Sequence, residues 1–209
     1  MRRTSSSTSP DDPGFATFAR MRRALPRALA AGALVVTVSA PVALADTNVC
    51  VAANGEVRHQ AGTATCEANG TGSIAIAHGD GSTAQAINGD HNRSMARGED
   101  STAYTGNGDR NTATAVGEDS YAGSGVGDRN SADATGAYSY ALAIEGDGNA
   151  ATADGDDSFA GAGRGDDNTA IATGTASHAQ AGGGDDNLAL ATSDGCTASA
   201  VGDGVTDVC

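Results

Sequence analysis

Gly108-Asp109-Arg110-Asn111-Thr112-Ala113-Thr114-Ala115-Val116, continued by Gly117-Glu118-Asp119-Ser120-Tyr121-Ala122-Gly123-Ser124-Gly125-Val126, is one copy of a unit that returns every nineteen residues. Asparagine recurs at Asn92, Asn111, Asn130, Asn149, Asn168 and Asn187, and serine at Ser82, Ser101, Ser120, Ser139, Ser158 and Ser177, with Cys196 next in step. One alanine column runs through Ala96, Ala115, Ala134, Ala153, Ala172 and Ala191, and a second through Ala84, Ala103, Ala122, Ala141, Ala160, Ala179 and Ala198. Self-similarity at a fixed period marks a repeat architecture, in which each unit stacks on its neighbours.

Within one unit, small residues alternate with variable ones, as in Asn168-Thr169-Ala170-Ile171-Ala172. That is the period of a strand with one buried face. Glycine and Asp/Asn clusters interrupt the pattern at every ninth or tenth residue, so each strand is about five residues long and ends in a tight turn. Helix is disfavoured despite the alanine, because most of the 30 glycines in the chain fall at fixed turn positions inside any helical register. Two strands and two turns form a coil. The prediction is an all-β protein, a parallel β-solenoid (β-helix or β-roll) of 19-residue coils with two short strands per coil. The constant Asn, Ser and Ala columns must face inward, since their neighbours run through Thr, Tyr, Leu, His, Asp and Gln. The asparagines Asn92 to Asn187 are then a core ladder that satisfies turn backbone groups from coil to coil. Alanine methyls alone bury too little to offset the ordering of the chain. Backbone ladders, end caps, bound ions or association must supply the rest.

The flanks divide the chain. Residues 1–20 form a polar extension ahead of Met21, a second candidate start, and 21–45 read as a secretion signal. Arg22, Arg23 and Arg27 precede an apolar run from Ala28 to Val42, and Ala43-Leu44-Ala45 is a cleavage site before Asp46. That run is too short to span a bilayer core of ~30 Å. An N-terminal cap is expected over 46–69, because Glu56 and Arg58 fall at inward positions there. The repeats occupy 70–195, and a C-terminal cap occupies 196–209, with register lost around Gly202. Cys50 and Cys66 precede the repeats, whereas Cys196 and Cys209 close them. An even count in an exported chain points to disulfides. About seven coils at ~4.8 Å each hold the two ends roughly 30 Å apart, beyond the ~7 Å that bridged Cα atoms span. The pairs are therefore Cys50–Cys66 and Cys196–Cys209, one staple per end.

Residues 46–209 carry six arginines, no lysine and 24 acidic residues, which leaves a net charge of −18. Such a surface repels nucleic acid and anionic lipid. No transmembrane segment is expected after the cleavage site. Absence of lysine beside abundant Ala, Gly and Arg suits a bacterial source, and the expected location is secreted or at the cell surface.

Two outward columns stand out. Thr102, Tyr121, Tyr140, Phe159 and His178 place ring-bearing side chains one above another on one face, in a chain with only 3% aromatic residues. The row reads either as a contact patch for a partner, a glycan or another copy, or as a cross-strand stack that stiffens the solenoid. The second column is Asp90, Asp109, Asp128, Asp147, Asp166 and Asp185. Carboxylates ~4.8 Å apart repel by roughly 0.9 kcal/mol even in water. Either each Asp accepts hydrogen bonds within its own turn, or calcium binds between coils. Gly146-Asp147-Gly148-Asn149 lacks the second glycine of the calcium-binding nonapeptide and has no Asp at its sixth position. His78, His91 and His178 are isolated, and neither a Gly-x-Ser-x-Gly elbow nor a zinc spacing stands in a suitable context. No catalytic residue is expected, and no cofactor other than calcium.

Ala113-x-Ala115-x-Gly117-x-x-Ser120-x-Ala122 resembles the head repeats of YadA-type trimeric autotransporter adhesins, and the likeness runs from Gly70 to about Ala200. It implies a parallel β-roll that trimerises and binds host matrix. Gly146-x-Gly148-Asn149-x-Ala151, followed by Ser158, resembles more weakly the repeats of curli amyloid subunits. Both imply extracellular, non-enzymatic surface proteins. The expected function is a structural or adhesive protein that binds through an outward face. Its partner is itself, as oligomer or fibre, or an extracellular protein or glycan. The alternatives are a calcium-dependent binding module and a self-assembling curli-like fibre subunit.

Overall fold

The computed structural model describes residues 48–209, so the polar extension and the signal segment lie outside the described residues. The chain opens with β1 (Val49–Ala53), β2 (Glu56–Ala61) and β3 (Thr65–Ala68). It then alternates between two sheets through β4 (Ile74–His78), β5 (Thr83–Ile87), β6 (Arg93–Arg97), β7 (Thr102–Gly106), β8 (Thr112–Val116) and β9 (Tyr121–Gly125). The alternation continues through β10 (Ser131–Thr135), β11 (Tyr140–Ile144), β12 (Ala150–Asp154), β13 (Phe159–Gly163), β14 (Thr169–Ala172) and β15 (His178–Gly182). It ends with β16 (Leu188–Ala191), β17 (Thr197–Val201) and β18 (Thr206–Val208).

Even-numbered strands from β4 to β18 stack in parallel, with β1 and β2 added at the N-terminal edge, to form a ten-stranded sheet. Odd-numbered strands from β3 to β17 form a parallel eight-stranded sheet. Register follows the sequence period, with Ala113 opposite Ala132 and Tyr121 opposite Tyr140. The fold is therefore the parallel β-solenoid that the spacing predicts, stapled at its ends by Cys50–Cys66 and Cys196–Cys209.

Between the sheets lie the alanine columns, fully buried throughout, and the six asparagines, 0–1% exposed. These asparagines are the ladder. The Asn111 amide donates to Asn92 Oδ1 at 2.9 Å, while Asn111 Nδ2 donates to the Gly127 carbonyl at 2.8 Å. Asn130 and Asn149 repeat both bonds one and two coils further along. The serines work locally instead. Ser120 Oγ, for instance, donates to the Gly117 carbonyl of its own turn.

The ends differ from the regular coils in ways the period does not reveal. β1 runs antiparallel to both β2 and β4, and the β1–β2 pairing is bulged at Arg58. Glu56 and Arg58 consequently face solvent on a hairpin rather than the interior. The eight-stranded sheet already begins at β3, where Cys66 stands opposite Ala84 and Ala64 is buried beside it. At the C-terminus one residue is lost, so that Leu188 pairs with Thr206 eighteen positions later. Asp207 there takes an alanine position, opposite Ala189, and its carboxylate accepts the Ser199 amide of β17 at 2.7 Å. This occupies one outward amide on the terminal strand of the eight-stranded sheet, an edge that otherwise invites further strands. Replacing Asp207 by alanine is expected to destabilise the chain by about 2 kcal/mol, the scale of a hydrogen bond to a charged group. A lowered urea midpoint with unchanged slope would report it.

Candidate functional site

The predicted stripe forms a continuous stack. Thr102 on β7 pairs with Tyr121 on β9, followed by Tyr140 on β11, Phe159 on β13 and His178 on β15. Ring centroids lie 4.8 Å apart for Tyr121–Tyr140, 5.6 Å for Tyr140–Phe159 and 4.6 Å for Phe159–His178, with planes within 12° of parallel. Strand spacing sets these distances. Because the ring faces meet one another, the partly exposed row presents its edges to solvent. Tyr121 and Phe159 also reach along their own strands. A Cβ on Gly123 would lie 3.0 Å from a Tyr121 ring carbon, and one on Gly161 would lie 3.1 Å from a Phe159 ring carbon. The stiffening stack and the exposed patch are thus the same object.

Beside the stack runs a trench that sequence reading missed. Leu142 and Ile144 rise on β11, whereas Gly161 and Gly163 on β13 leave the next strand bare. Gln180 and Val201 form the far wall, and the space amounts to about 260 Å³. The recurring aromatic-x-Gly triplets, Tyr104-x-Gly106, Tyr121-x-Gly123 and Phe159-x-Gly161, were the available signal. Glycine in this chain is so common at turns that in-strand glycines do not stand out.

The acidic column has a geometry different from the own-turn hydrogen bonds expected of it. Asp109 Oδ1 accepts the Asp90 amide at 2.8 Å, Asp128 Oδ1 accepts the Asp109 amide at 2.7 Å, and Asp147 and Asp166 continue the series at 2.8 Å. Asp185 accepts from Asp166 in the same way. The partner is the equivalent turn one coil earlier, not the residue two ahead. One oxygen of each carboxylate is committed to the backbone, which offsets the repulsion along the column; the other oxygen is left for water or a cation. Among the described residues, no three His, Cys, Asp or Glu side chains converge as a metal-binding group.

Two tyrosines are electrostatically distinct. Burial pushes the Tyr121 phenol above its ordinary 10.0, and the Tyr140 and Tyr104 phenols add to the effect. The exposed Tyr138 phenol is raised chiefly by the Glu118 carboxylate, then by Asp119. A raised folded-state value makes the contribution to stability full below pH 10.0 and lost as pH rises through the folded value. Both phenols are expected to ionise late in an absorbance titration. About 1 M salt should return Tyr138 towards its ordinary value by screening its carboxylates, while Tyr121, held by burial, stays high.

No protein-family model, curated protein or solved structure matches this chain. Of the residues named from sequence, the structure brings Thr102, Tyr121, Tyr140, Phe159 and His178 onto one face. It places the Asp column along one set of turns and buries the asparagines. Among the described residues no helix is long and apolar enough to cross a membrane.

Proposed function

We propose that this chain is a secreted, non-enzymatic structural or adhesive protein of a bacterial surface, which binds an extracellular partner through its eight-stranded face. The observation that carries the reading is the stack from Tyr121 to His178, which gathers rings of a ring-poor chain in one outward row. A half-exposed aromatic row beside a trench with apolar walls and a polar margin is the composition of a contact surface.

The ends favour lateral contact over growth into a fibre. β2 is bulged and carries the Arg58–Glu56 ion pair, both of which blunt a strand edge. The hairpin covers β3, since the Gly55 amide reaches the Ala68 carbonyl and Gln60 Nε2 reaches the Ala64 carbonyl. Asp207 occupies the outward Ser199 amide of β17, and β18 is three residues long and tied by Cys209. Mutual stacking also occupies the ring faces, which favours a protein surface meeting ring edges over a sugar lying flat on a ring.

Replacing Tyr121, Tyr140 and Phe159 together by serine is expected to abolish retention of the secreted chain on immobilised matrix protein while its far-ultraviolet strand signal persists. Unchanged retention would reject the face. Sedimentation of the oxidised chain in EDTA over a wide concentration range is expected to show a single monomer; growing polymers would restore the fibre reading, and a discrete trimer the adhesin-head arrangement.

A further inference from the structure

The trench says more about the partner than the stack does. Glycines in a solenoid usually answer a backbone demand, and Gly163 does so, with φ +156° and an added Cβ only 1.9 Å from the Ile144 carbonyl. Gly161 does not. Its backbone lies outside the left-handed region, and an added Cβ would meet only the edge of the Phe159 ring, at 3.1 and 3.3 Å. The fold would tolerate a side chain here, yet the position is empty, between Leu142 and Ile144 on one side and Gln180 and Val201 on the other. The depression has apolar walls from Leu142, Ile144 and Val201 and a polar margin from Gln180, Glu145 and Arg164, and it is about the size of one or two aliphatic side chains.

Its surroundings select the charge of what enters. The turns that follow these strands carry Glu145, Asp147, Asp166 and Asp185, and the nearby cation Arg164 is paired with Glu145 at 3.5 Å. Residues 46–209 carry a net −18, so a second copy of the chain would bring like charge against like. A basic segment gains from the same field, because electrostatic complementarity steers encounter and fixes register.

We infer that the trench over Gly161 and Gly163 seats an aliphatic side chain of an extended, lysine- or arginine-rich polypeptide, whose cations lie along the acidic turns. The inference rests on the face-binding reading above and names its partner class. The test is a titration of the isotopically labelled full-length secreted chain with two pentapeptides, one alternating lysine with valine and one alternating glutamate with valine, followed by amide shifts. The lysine peptide is expected to move the Gly161, Gly163 and Gly182 amides, and the glutamate peptide to leave them unmoved. Gly161→Leu, which fills the trench from within, should weaken the lysine peptide roughly tenfold or more. Leu142→Ala removes a wall and tests the same point if Gly161→Leu fails to fold. Shifts spread over the acidic turns of both sheets and indifferent to either variant would overturn the inference, as would equal movement by the glutamate peptide. A chain that adheres through the aromatic face yet ignores the lysine peptide loses this inference alone, whereas indifference to the triple serine variant removes the face itself.

Discussion

Asn130→Ala is expected to destabilise the chain by about 4 kcal/mol, although it removes neither a charge nor a large apolar group. Asn130 is 1% exposed. Its Oδ1 accepts the Asn149 amide at 2.9 Å, and its Nδ2 donates to the Gly146 carbonyl at 2.8 Å. Alanine leaves that amide and that carbonyl in the interior with no partner, at about 1–3 kcal/mol each. The site is too closely covered by neighbouring coils for bulk water to replace the lost groups. Against a typical total of about 5–15 kcal/mol, the loss is large. Denaturant unfolding gives the magnitude, and hydrogen exchange gives the location. Because each coil touches only its neighbours, exchange should quicken first around Asn130 and Asn149, while the distant stapled ends keep their protection. A change below about 1 kcal/mol would mean that the ladder is ornamental to stability.

Gly127→Ala is expected to be comparably severe, and here a single methyl group is added. Gly127 has φ +135°, a conformation that L side chains rarely adopt, and its new Cβ would stand 2.0 Å from the Gly146 carbonyl oxygen and 2.7 Å from its carbon. The obstruction is backbone, which cannot swing aside as a side chain does. Relief requires two coils to separate, which strains the parallel pairings on either side. Backbone strain and overpacking each cost about 1–3 kcal/mol, so a combined loss of about 4 kcal/mol is the expected result. Gly161→Ala is the matched control. Its Cβ meets only a ring edge, and its midpoint should stay near that of the parent chain. Equal effects at both glycines would show that the close approach of coils is not what the Gly127 position enforces.

Much of the fold was legible because a column that never varies is a column that cannot. Ala113, Ala132 and Ala151 stay small since the facing sheet leaves room for a methyl, and Asn111 to Asn187 stay asparagine since only a short amide both donates and accepts across one coil. The disulfides followed from distance alone. The Asp column was legible as a column but not in its bonding. Sequence proximity favours an amide two residues away, whereas stacking brings one nineteen residues away within 2.8 Å. The N-terminal hairpin was hidden for a related reason. Period-based inference places Glu56 and Arg58 inside only if the chain keeps its direction, and β1 reverses it. Of the candidate site, the aromatic row could be read and the trench could not, because a glycine that leaves space is written with the same letter as one that makes a turn.

The two side-chain ladders point in opposite senses. In the asparagine series the later coil's amide donates to the earlier coil's oxygen, as from Asn111 to Asn92. In the aspartate series the earlier coil's amide donates to the later coil's oxygen, as from Asp90 to Asp109. Every coil is therefore both lender and borrower toward each neighbour, and the coils between the staples share one backbone register, although the Asn168 and Asn187 side-chain amides donate to the preceding asparagine rather than to a glycine carbonyl. The molecule behaves as a ruler graduated in whole coils. A gain or loss of nineteen residues between β6 and β16 is expected to keep the strand pairings in register across the seam, whereas the eighteen-residue coils, from Thr65 to Thr83 and from Leu188 to Thr206, stand at the two ends. The distance between the two stapled ends, and with it the span of the aromatic row, is a property that duplication can reset in single steps without redesigning a residue.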